Sequence, residues 1–432
     1  MQKCKKSFKI APMRIMEVFY RAKERIEKAL PFRFEKKTIP PQDNELVELV
    51  AQIEARQSPS FVTSWVPITG ASSVPEVAAD KVITALRPIV PAQEHQDSAP
   101  SLSELHALTQ DKSRITSIGK GGESKTDTNL IKATTQDTTA FLLETIDAPD
   151  LGLIGIRASE AGRDLSVCAD ALTVFAFRIE NGSGNSHTVR VVFVADGVGS
   201  TILGDVAARV LVNKAQEYCI KAVKNGDIKD ADGVAEVMSQ AAAYADAYLH
   251  SIGKDTLEQI AVKRSASLPQ LQREGYLAGM SNPQTIASST LLGLAVIDDD
   301  AKTDPLKILY LDGGDGGIGV TAGPDYDNYH SEIAYKSGAA PAQINYGAGT
   351  QDASQYREKI SAHEFIREPE MQFTITVRTD GLDKLPIGTR ERTPEEMLKL
   401  AFEIGRTSNP VQVLAQLADR VTDDATYLIL RS

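Results

Sequence analysis

A chain of 432 residues, 42% hydrophobic and 24% charged, can bury a full-sized core and leave residues over for a second region. It holds no run of about 18 consecutive apolar residues, which excludes a helical membrane span by the usual length criterion. Its three widely spaced cysteines, Cys4, Cys168 and Cys219, exclude a disulfide framework and a Cys-rich zinc site, and a net charge of −11 argues against a nucleic-acid groove and suits a site that collects cations.

The first residues lack the apolar core and small-residue cleavage site of a secretory leader, so a reduced, cytoplasmic setting is expected. Residues 1–37 carry twelve Lys or Arg against four Glu, the reverse of the chain as a whole. Between Pro12 and Leu30 the apolar residues Ile15, Phe19, Ala22, Ile26 and Leu30 recur at helical spacing, with Arg21, Lys23, Arg25 and Lys28 on other faces. Residues 12–30 therefore predict a basic amphipathic helix, able to lie on an anionic membrane surface, bind a partner or dock on the acidic body of its own chain. Residues 38–147 are rich in Ser, Thr, Gln, Pro and Gly and poor in periodicity. They predict a linker of low order with a short helix near 75–86.

From residue 148 to residue 432 the pattern tightens into one folded domain. LTVFAFRI, TVRVVFVA, STLLGLAVI, KILYLD, MQFTITVRT and ATYLILR read as strands, rich in β-branched and aromatic residues and bounded by Gly, Asp or Asn. Helical spacing marks 204–223, 232–250, 394–405 and 409–420. Strands come in consecutive pairs interrupted by blocks of helix, which points to antiparallel sheets covered by helices.

Several of these strands deliver an Asp at one end. VVFVAD ends at Asp196, LYLDGGD presents Asp312 and Asp315, FTITVRTDGLD gives Asp380 and Asp383, and Asp423 and Asp424 precede the last strand. A lone Asp-Gly is a common turn. Carboxylates gathered in one place resist ionisation unless cations neutralise them, and an oxygen-only donor set favours Mg²⁺ or Mn²⁺ over zinc or copper. Two such ions about 3.5–4 Å apart, bridged by a carboxylate, can activate a shared water and clamp a phosphoryl group. Phosphate-ester hydrolysis is the predicted chemistry.

The ordered motifs ADGVGS, ASSTLLGLAV, LDGGDGG, TDGLDKL and VTDDATYLIL resemble the metal-dependent protein phosphatase family, type 2C, over residues 148–432, in wording closer to its bacterial members. The resemblance implies an α+β fold: a four-layer α-β-β-α sandwich of two antiparallel sheets flanked by helices, here with a largely irregular N-terminal extension. It also implies serine/threonine phosphoprotein phosphatase activity with two Mg²⁺ or Mn²⁺ ions and room for a third. By position, Asp196 matches the carboxylate bridging both ions and Gly197 the residue that lends its carbonyl. Asp380 matches a ligand of the first ion, Asp423 the last metal-binding Asp, Asp315 the acid of a third ion, and Asp170 the second acid of an upstream pair. Arg163 matches the arginine that grips substrate phosphate, a task suited to a guanidinium. The pattern departs where Gly-Asp-Ser-Arg becomes Gly314-Asp315-Gly316-Gly317 and where Ala169 replaces the first acid of the pair.

Other motifs carry less. Gly314, Gly316 and Gly319 satisfy GxGxxG but open no helix, as a dinucleotide fingerprint requires. His187 sits in a hairpin-like stretch and is expected at the surface. His330 and His363 flank a Gly/Ala/Tyr-rich insert, expected as a surface loop, with a flap over the cleft as the alternative. Cys168 reads as a small buried hydrophobe, and Ser288, Ser289 and Thr290 as a strand opening packed near the site. Two functions stand side by side: an enzyme that hydrolyses phosphoserine and phosphothreonine in phosphoprotein substrates, or a catalytically silent domain of the same fold that binds a partner or phosphopeptide.

Overall fold

The computed structural model describes most of residues 100–432 and none of 1–99. Within that span it leaves out 109–112, 120–121, 128–129, 135–141, 160–167, 181–184, 267, 315, 323–329, 336–342, 368–371, 383–393, 408–409, 419–420 and 422. The helices expected over 12–30 and near 75–86 lie outside the described residues.

The strands are β1 (Arg114–Ile118), β2 (Ser124–Thr126), β3 (Ile131–Thr134), β4 (Leu143–Ala148), β5 (Leu153–Ala158), β6 (Ala171–Glu180), β7 (Ser186–Ala195), β8 (Ser288–Ser289), β9 (Leu292–Asp299), β10 (Leu306–Leu311), β11 (Gly317–Ala322), β12 (His330–Tyr335), β13 (Ile344–Asn345), β14 (Ile360–Phe365), β15 (Phe373–Arg378) and β16 (Ala425–Arg431). The helices are α1 (Leu102–Leu108), α2 (Gly204–Asn225), α3 (Ala231–Ser251), α4 (Lys254–Ser265), α5 (Gln270–Ala278), α6 (Ala353–Arg357), α7 (Pro394–Arg406) and α8 (Pro410–Ala418). Two seven-stranded sheets run β14-β10-β9-β7-β6-β1-β2 and β12-β11-β15-β16-β5-β4-β3. Their ladders are antiparallel except for β1 beside β6, which is parallel.

Alternation within single strands builds the layers. Val192 and Val194 of β7, Leu294 and Val296 of β9, Ile318 and Val320 of β11, Ile375 and Val377 of β15, and Leu428 and Leu430 of β16 share one buried cluster between the sheets. The intervening residues of the first sheet, such as Val189, Val191 and Phe193, pack on α2 and α3. Those of the second, Ile154, Ile156, Tyr427 and Ile429, pack with Met397, Leu400 and Ile404 of α7 and Leu414 and Leu417 of α8. Each side of VRVVFVA thus meets a different apolar layer, which is why it reads as a continuous hydrophobic run. The fold is the expected α+β sandwich, helix on sheet on sheet on helix.

Helix ends follow local chemistry. Asp230 caps α3 by accepting the Gly233 N–H at 2.8 Å, and Gly226 ends α2 with φ 74°, a left-handed conformation that costs glycine little.

The domain boundary expected at 148 needs correction. Residues 114–147, expected as part of a low-order linker, supply β1 to β3 and all of β4 but its last residue, and both sheets use them. These strands are three to six residues long, and every residue of β2 is exposed. Segments so short offer little periodicity to read; their partners in the sheet decide their state.

Candidate active site

The register of the ladders brings the acidic residues to one end of the sandwich. Ala171 of β6 pairs with Ala195 of β7, so Asp170 and Asp196 leave neighbouring strands side by side. In the second sheet Arg378 of β15 pairs with Tyr427 of β16. Asp380, in a single 3-10 turn, and Asp423 and Asp424 therefore flank that ladder at the same end.

Hydrogen bonds join the two sheets there. Thr379 Oγ1 donates to Asp170 Oδ2 at 2.7 Å, and the Ala169 N–H donates to Asp424 Oδ2 at 2.5 Å. Thr426 N–H donates to Thr379 Oγ1 at 2.9 Å, while buried Arg157 reaches the Asp170 carbonyl at 2.9 Å. The Gly197 N–H donates to the Ala169 carbonyl at 3.2 Å.

Residue 196 is fixed through its main chain. Its N–H donates to Thr290 Oγ1 at 2.9 Å, and its carbonyl accepts from Ser289 Oγ at 2.7 Å and from the Thr290 N–H at 2.9 Å. Ser289 and Thr290 thus orient the strand end, in the supporting role read from sequence. A side chain at Gly381 would meet the Asp424 carbonyl oxygen at 2.0 Å, so the turn after Asp380 can approach the Asp423–Asp424 segment only with glycine there.

Asp170 is 0% exposed. Burial pushes its carboxyl up to about 8; the charges of Asp424 and, more weakly, Asp380 add to this, while hydrogen bonds from Thr379 and Thr426 oppose it. Its Oδ1 and the Thr426 hydroxyl oxygen are both buried, and neither makes a well-formed hydrogen bond. A buried carboxylate oxygen beside further carboxylates is a donor set that a hard divalent cation fits. Asp196, Gly197, Asp170, Asp380 and Asp423 stand at this end of the two sheets. Arg163, Asp315 and Asp383 lie outside the described residues.

Among the described residues, the group of three ligand atoms within 4.8 Å of one another is elsewhere: His187, Asp299 and Asp304. His187 stands at the start of β7 and Asp196 just beyond its end, a strand's length of roughly 30 Å apart. The Asp299 carboxylate accepts the N–H groups of Ala301, Thr303 and Asp304, which clasps the β9–β10 turn. His187, expected at the surface, is only partly exposed and lies 3.7 Å from Asp304.

A cavity of about 290 Å³, lined in part by Ala169, Gly197, Ser200, Thr201, Arg264 and Tyr276, adjoins the acidic end. Arg264 grips Asp205 with two bonds of 2.5 and 2.6 Å. Arg209 shares the same carboxylate. Nothing in the sequence singled out Arg264, because its helix α4 joins the site across 59 residues of chain and carries no motif.

The expected surface insert is in part built into the fold. His363 lies within β14, opposite Ile308 of β10, with its ring stacked on Tyr310, so it belongs to a sheet edge and not to a loop or flap. Backbone pairing, invisible without the partner strand, decides this. Asn345 in β13 pairs with Ser288 in β8, next to the residues that hold Asp196. The same Asn345 carbonyl contacts His250 Nε2 at 3.0 Å, while His250 Nδ1 lies 2.9 Å from Asp246. Asp246 is also bonded by the Tyr356 hydroxyl and the Gln351 N–H, each at 2.9 Å. The bond to Asp246 raises His250 to about 9, with burial opposing. Because the folded value exceeds the ordinary one of about 6.5, the stabilisation is complete below about pH 6.5 and is lost as pH rises through about 9. Thermal melts of wild type and His250→Gln are expected to differ near pH 6 and to converge near pH 10.

GxGxxG is resolved as well: Gly317–Ala322 form β11, a strand and not the start of a helix. Cys168 is fully buried, as a small hydrophobe should be. No helix among the described residues is long and apolar enough to cross a membrane.

Fold and strand-end acids together describe a sandwich of the phosphatase type, and comparison with known proteins specifies the family. A family model described as Protein phosphatase 2C matches residues 163–421. The chain belongs to the protein phosphatase 2C family. Among solved structures it is similar to the S. agalactiae serine/threonine phosphatase, at 14% identity over 64% of this chain and 97% of that one, with a TM-score of 0.34. It is also similar to the SiaA-PP2C domain of Pseudomonas aeruginosa, at 13% identity over 65% and 84% of the two chains and a TM-score of 0.33. A third is the PPM Ser-Thr phosphatase MsPP from Mycobacterium smegmatis, at 13% identity over 65% and 97% and a TM-score of 0.29. No curated protein matches the chain.

Proposed function

We propose that the chain is a cytoplasmic enzyme that hydrolyses phosphoserine and phosphothreonine in proteins, using two Mg²⁺ or Mn²⁺ ions and in some states a third. The observation that carries this reading is that Asp170, Asp196, Asp380 and Asp423 leave their strands at the same end of two sheets, tied across by Thr379–Asp170 and Ala169–Asp424.

Asp196, the Gly197 carbonyl, Asp170, Asp380 and Asp423 would hold the ion pair, Asp315 the third ion, and Arg163 the substrate phosphate. When bound, the ions supply a lowered water pKa and neutralise charge on the phosphoryl group. The chain's own contribution is positional. Ser289 and Thr290 lock residue 196 through its backbone, and Thr379 fixes one oxygen of Asp170. Arg163, as a fixed fork of donors, would orient the phosphate without taking part in proton transfer. Residues 12–30 would bring the catalytic body to a membrane surface or partner.

The test is phosphate release from a panel of phosphoserine, phosphothreonine and phosphotyrosine peptides with Mn²⁺ and with a chelator. Turnover of the first two classes that disappears with the chelator is expected. Absence of any metal-dependent turnover would favour the silent, phosphopeptide-binding alternative.

A further inference from the structure

We infer that His250 is a positioning residue for Asp196: from the last turn of α3 it grips β13, and β13 backs the short segment that holds the Asp196 main chain. The inference deepens the phosphatase reading above and rests on it for the role of Asp196.

Residues 285–290 run between two neighbours. On one side lies the chain from Asp196 to Leu203, where the Thr290 N–H donates to the Asp196 carbonyl at 2.9 Å and the Val198 N–H to the Ser288 carbonyl at 3.0 Å. Farther along, the Ile202 and Leu203 N–H groups donate to the Thr285 and Ile286 carbonyls. On the other side lies β13, where Ile344 pairs with Ser289 and Asn345 with Ser288, and the Tyr346 N–H donates to the Ala287 carbonyl at 3.0 Å. Paired strands this short have little stability of their own. What stands behind β13 therefore fixes it.

That backing comes from the end of α3. His250 Nε2 lies 3.0 Å from the Asn345 carbonyl oxygen, and the Tyr346 hydroxyl donates to the carbonyl of Ile252, just past the helix, at 2.8 Å. The rings of His250 and Tyr346 stack, with centroids 6.3 Å apart and planes 13° from parallel. His250 Nδ1 lies 2.9 Å from both the carbonyl oxygen and Oδ1 of Asp246. Carbonyl and carboxylate oxygens thus face both ring nitrogens, which suits an imidazolium donating from each. Asp246 in turn accepts from the Gln351 N–H and the Tyr356 hydroxyl. One ion pair on α3 therefore holds the chain from Asn345 to Tyr356 at several points, and the first of them is the strand against β8. Glutamine at 250 would remove the charge that answers Asp246 and the ring that stacks on Tyr346.

The experiment compares wild type, His250→Gln and Asp230→Ala near neutral pH, at a temperature well below all three melts. Asp230→Ala is the control, because it removes the cap at the opposite end of α3 and weakens the same helix without touching β13. Amide exchange is followed in chelator without substrate, and phosphopeptide turnover at saturating Mn²⁺. His250→Gln is expected to speed exchange over residues 196–203 about tenfold and to lower kcat about tenfold with KM unchanged, inside the roughly 10²-fold that a small misplacement near a reacting group can cost. Asp230→Ala is expected to do neither. Exchange over 196–203 that matches wild type, or a kcat no lower than that of Asp230→Ala, would overturn the inference and leave the phosphatase reading standing. Should His250→Gln not fold, Tyr346→Phe takes its place: it gives up only the bond to Ile252, its effects are expected with the same sign, and the same outcomes decide. Wild type without metal-dependent turnover would overturn the inference together with the reading beneath it.

Discussion

Asp196→Asn is expected to lower metal-dependent phosphopeptide hydrolysis by roughly 10³-fold while the protein folds as before. The two halves of this expectation have separate causes. The side chain would change from a carboxylate to a neutral amide, so the residue proposed to hold both ions would lose its charge; several kcal/mol of transition-state stabilisation depend on such ions, and each 1.36 kcal/mol is about a factor of ten. The bonds that fix residue 196 run instead from its main chain to Ser289 and Thr290, and an amide side chain leaves them intact. Circular dichroism and melting in chelator should match wild type. The rate constant at saturating Mn²⁺ should not. A variant retaining more than about a tenth of wild-type turnover would remove Asp196 from the centre of the proposed chemistry.

The acids were legible before the fold because each stands at a strand end followed by a turn residue, as in Asp196-Gly197 and Asp380-Gly381. Strands that end on Asp are visible one at a time, and their meeting needs only that the strands lie in register. The ladder from Ala171 to Ala195 and that from Arg378 to Tyr427 supply it. The long-range contacts of Asp424 and Arg264 were not legible in the same way. Asp424 acts on residue 169 across 255 positions of chain, and Arg264 comes from a helix whose sequence, KDTLEQIAVKRS, carries no chemical motif. The same limit hid β1. Its five residues lie parallel to β6, with Arg114 opposite Thr173, and no local pattern announces a partner so far along the chain. What sequence shows well is chemistry repeated at element ends; what it hides is contact between distant elements that have no period of their own.

Asp205→Ala is expected to be the most destabilising of the substitutions considered, at about 3–5 kcal/mol, the cost of breaking a buried ion pair from one side. Asp205 lies in the first turn of α2 and is 6% exposed. Burial would raise its carboxyl, but the charges of Arg264 and Arg209 outweigh it and hold the group below the usual carboxylate range. Arg209, 4% exposed, also donates to the Cys168 carbonyl at 2.8 Å, so it cannot follow the lost charge out to water without giving up that bond. Alanine would therefore take a carboxylate away from a buried guanidinium that its bond to the Cys168 carbonyl holds in place. The side chain of Arg264 is 22% exposed, and Arg264→Gln should cost much less, because water can take over part of its solvation and Arg209 still faces Asp205. The sign with pH follows from the lowered value: the deficit of Asp205→Ala is full above about pH 4, the ordinary carboxylate range, and shrinks as acid protonates Asp205 in the wild type. Urea unfolding of the three proteins near pH 7 and again near pH 3 measures both effects. Equal midpoints for Asp205→Ala and Arg264→Gln at neutral pH would show that Arg209 does not depend on Asp205.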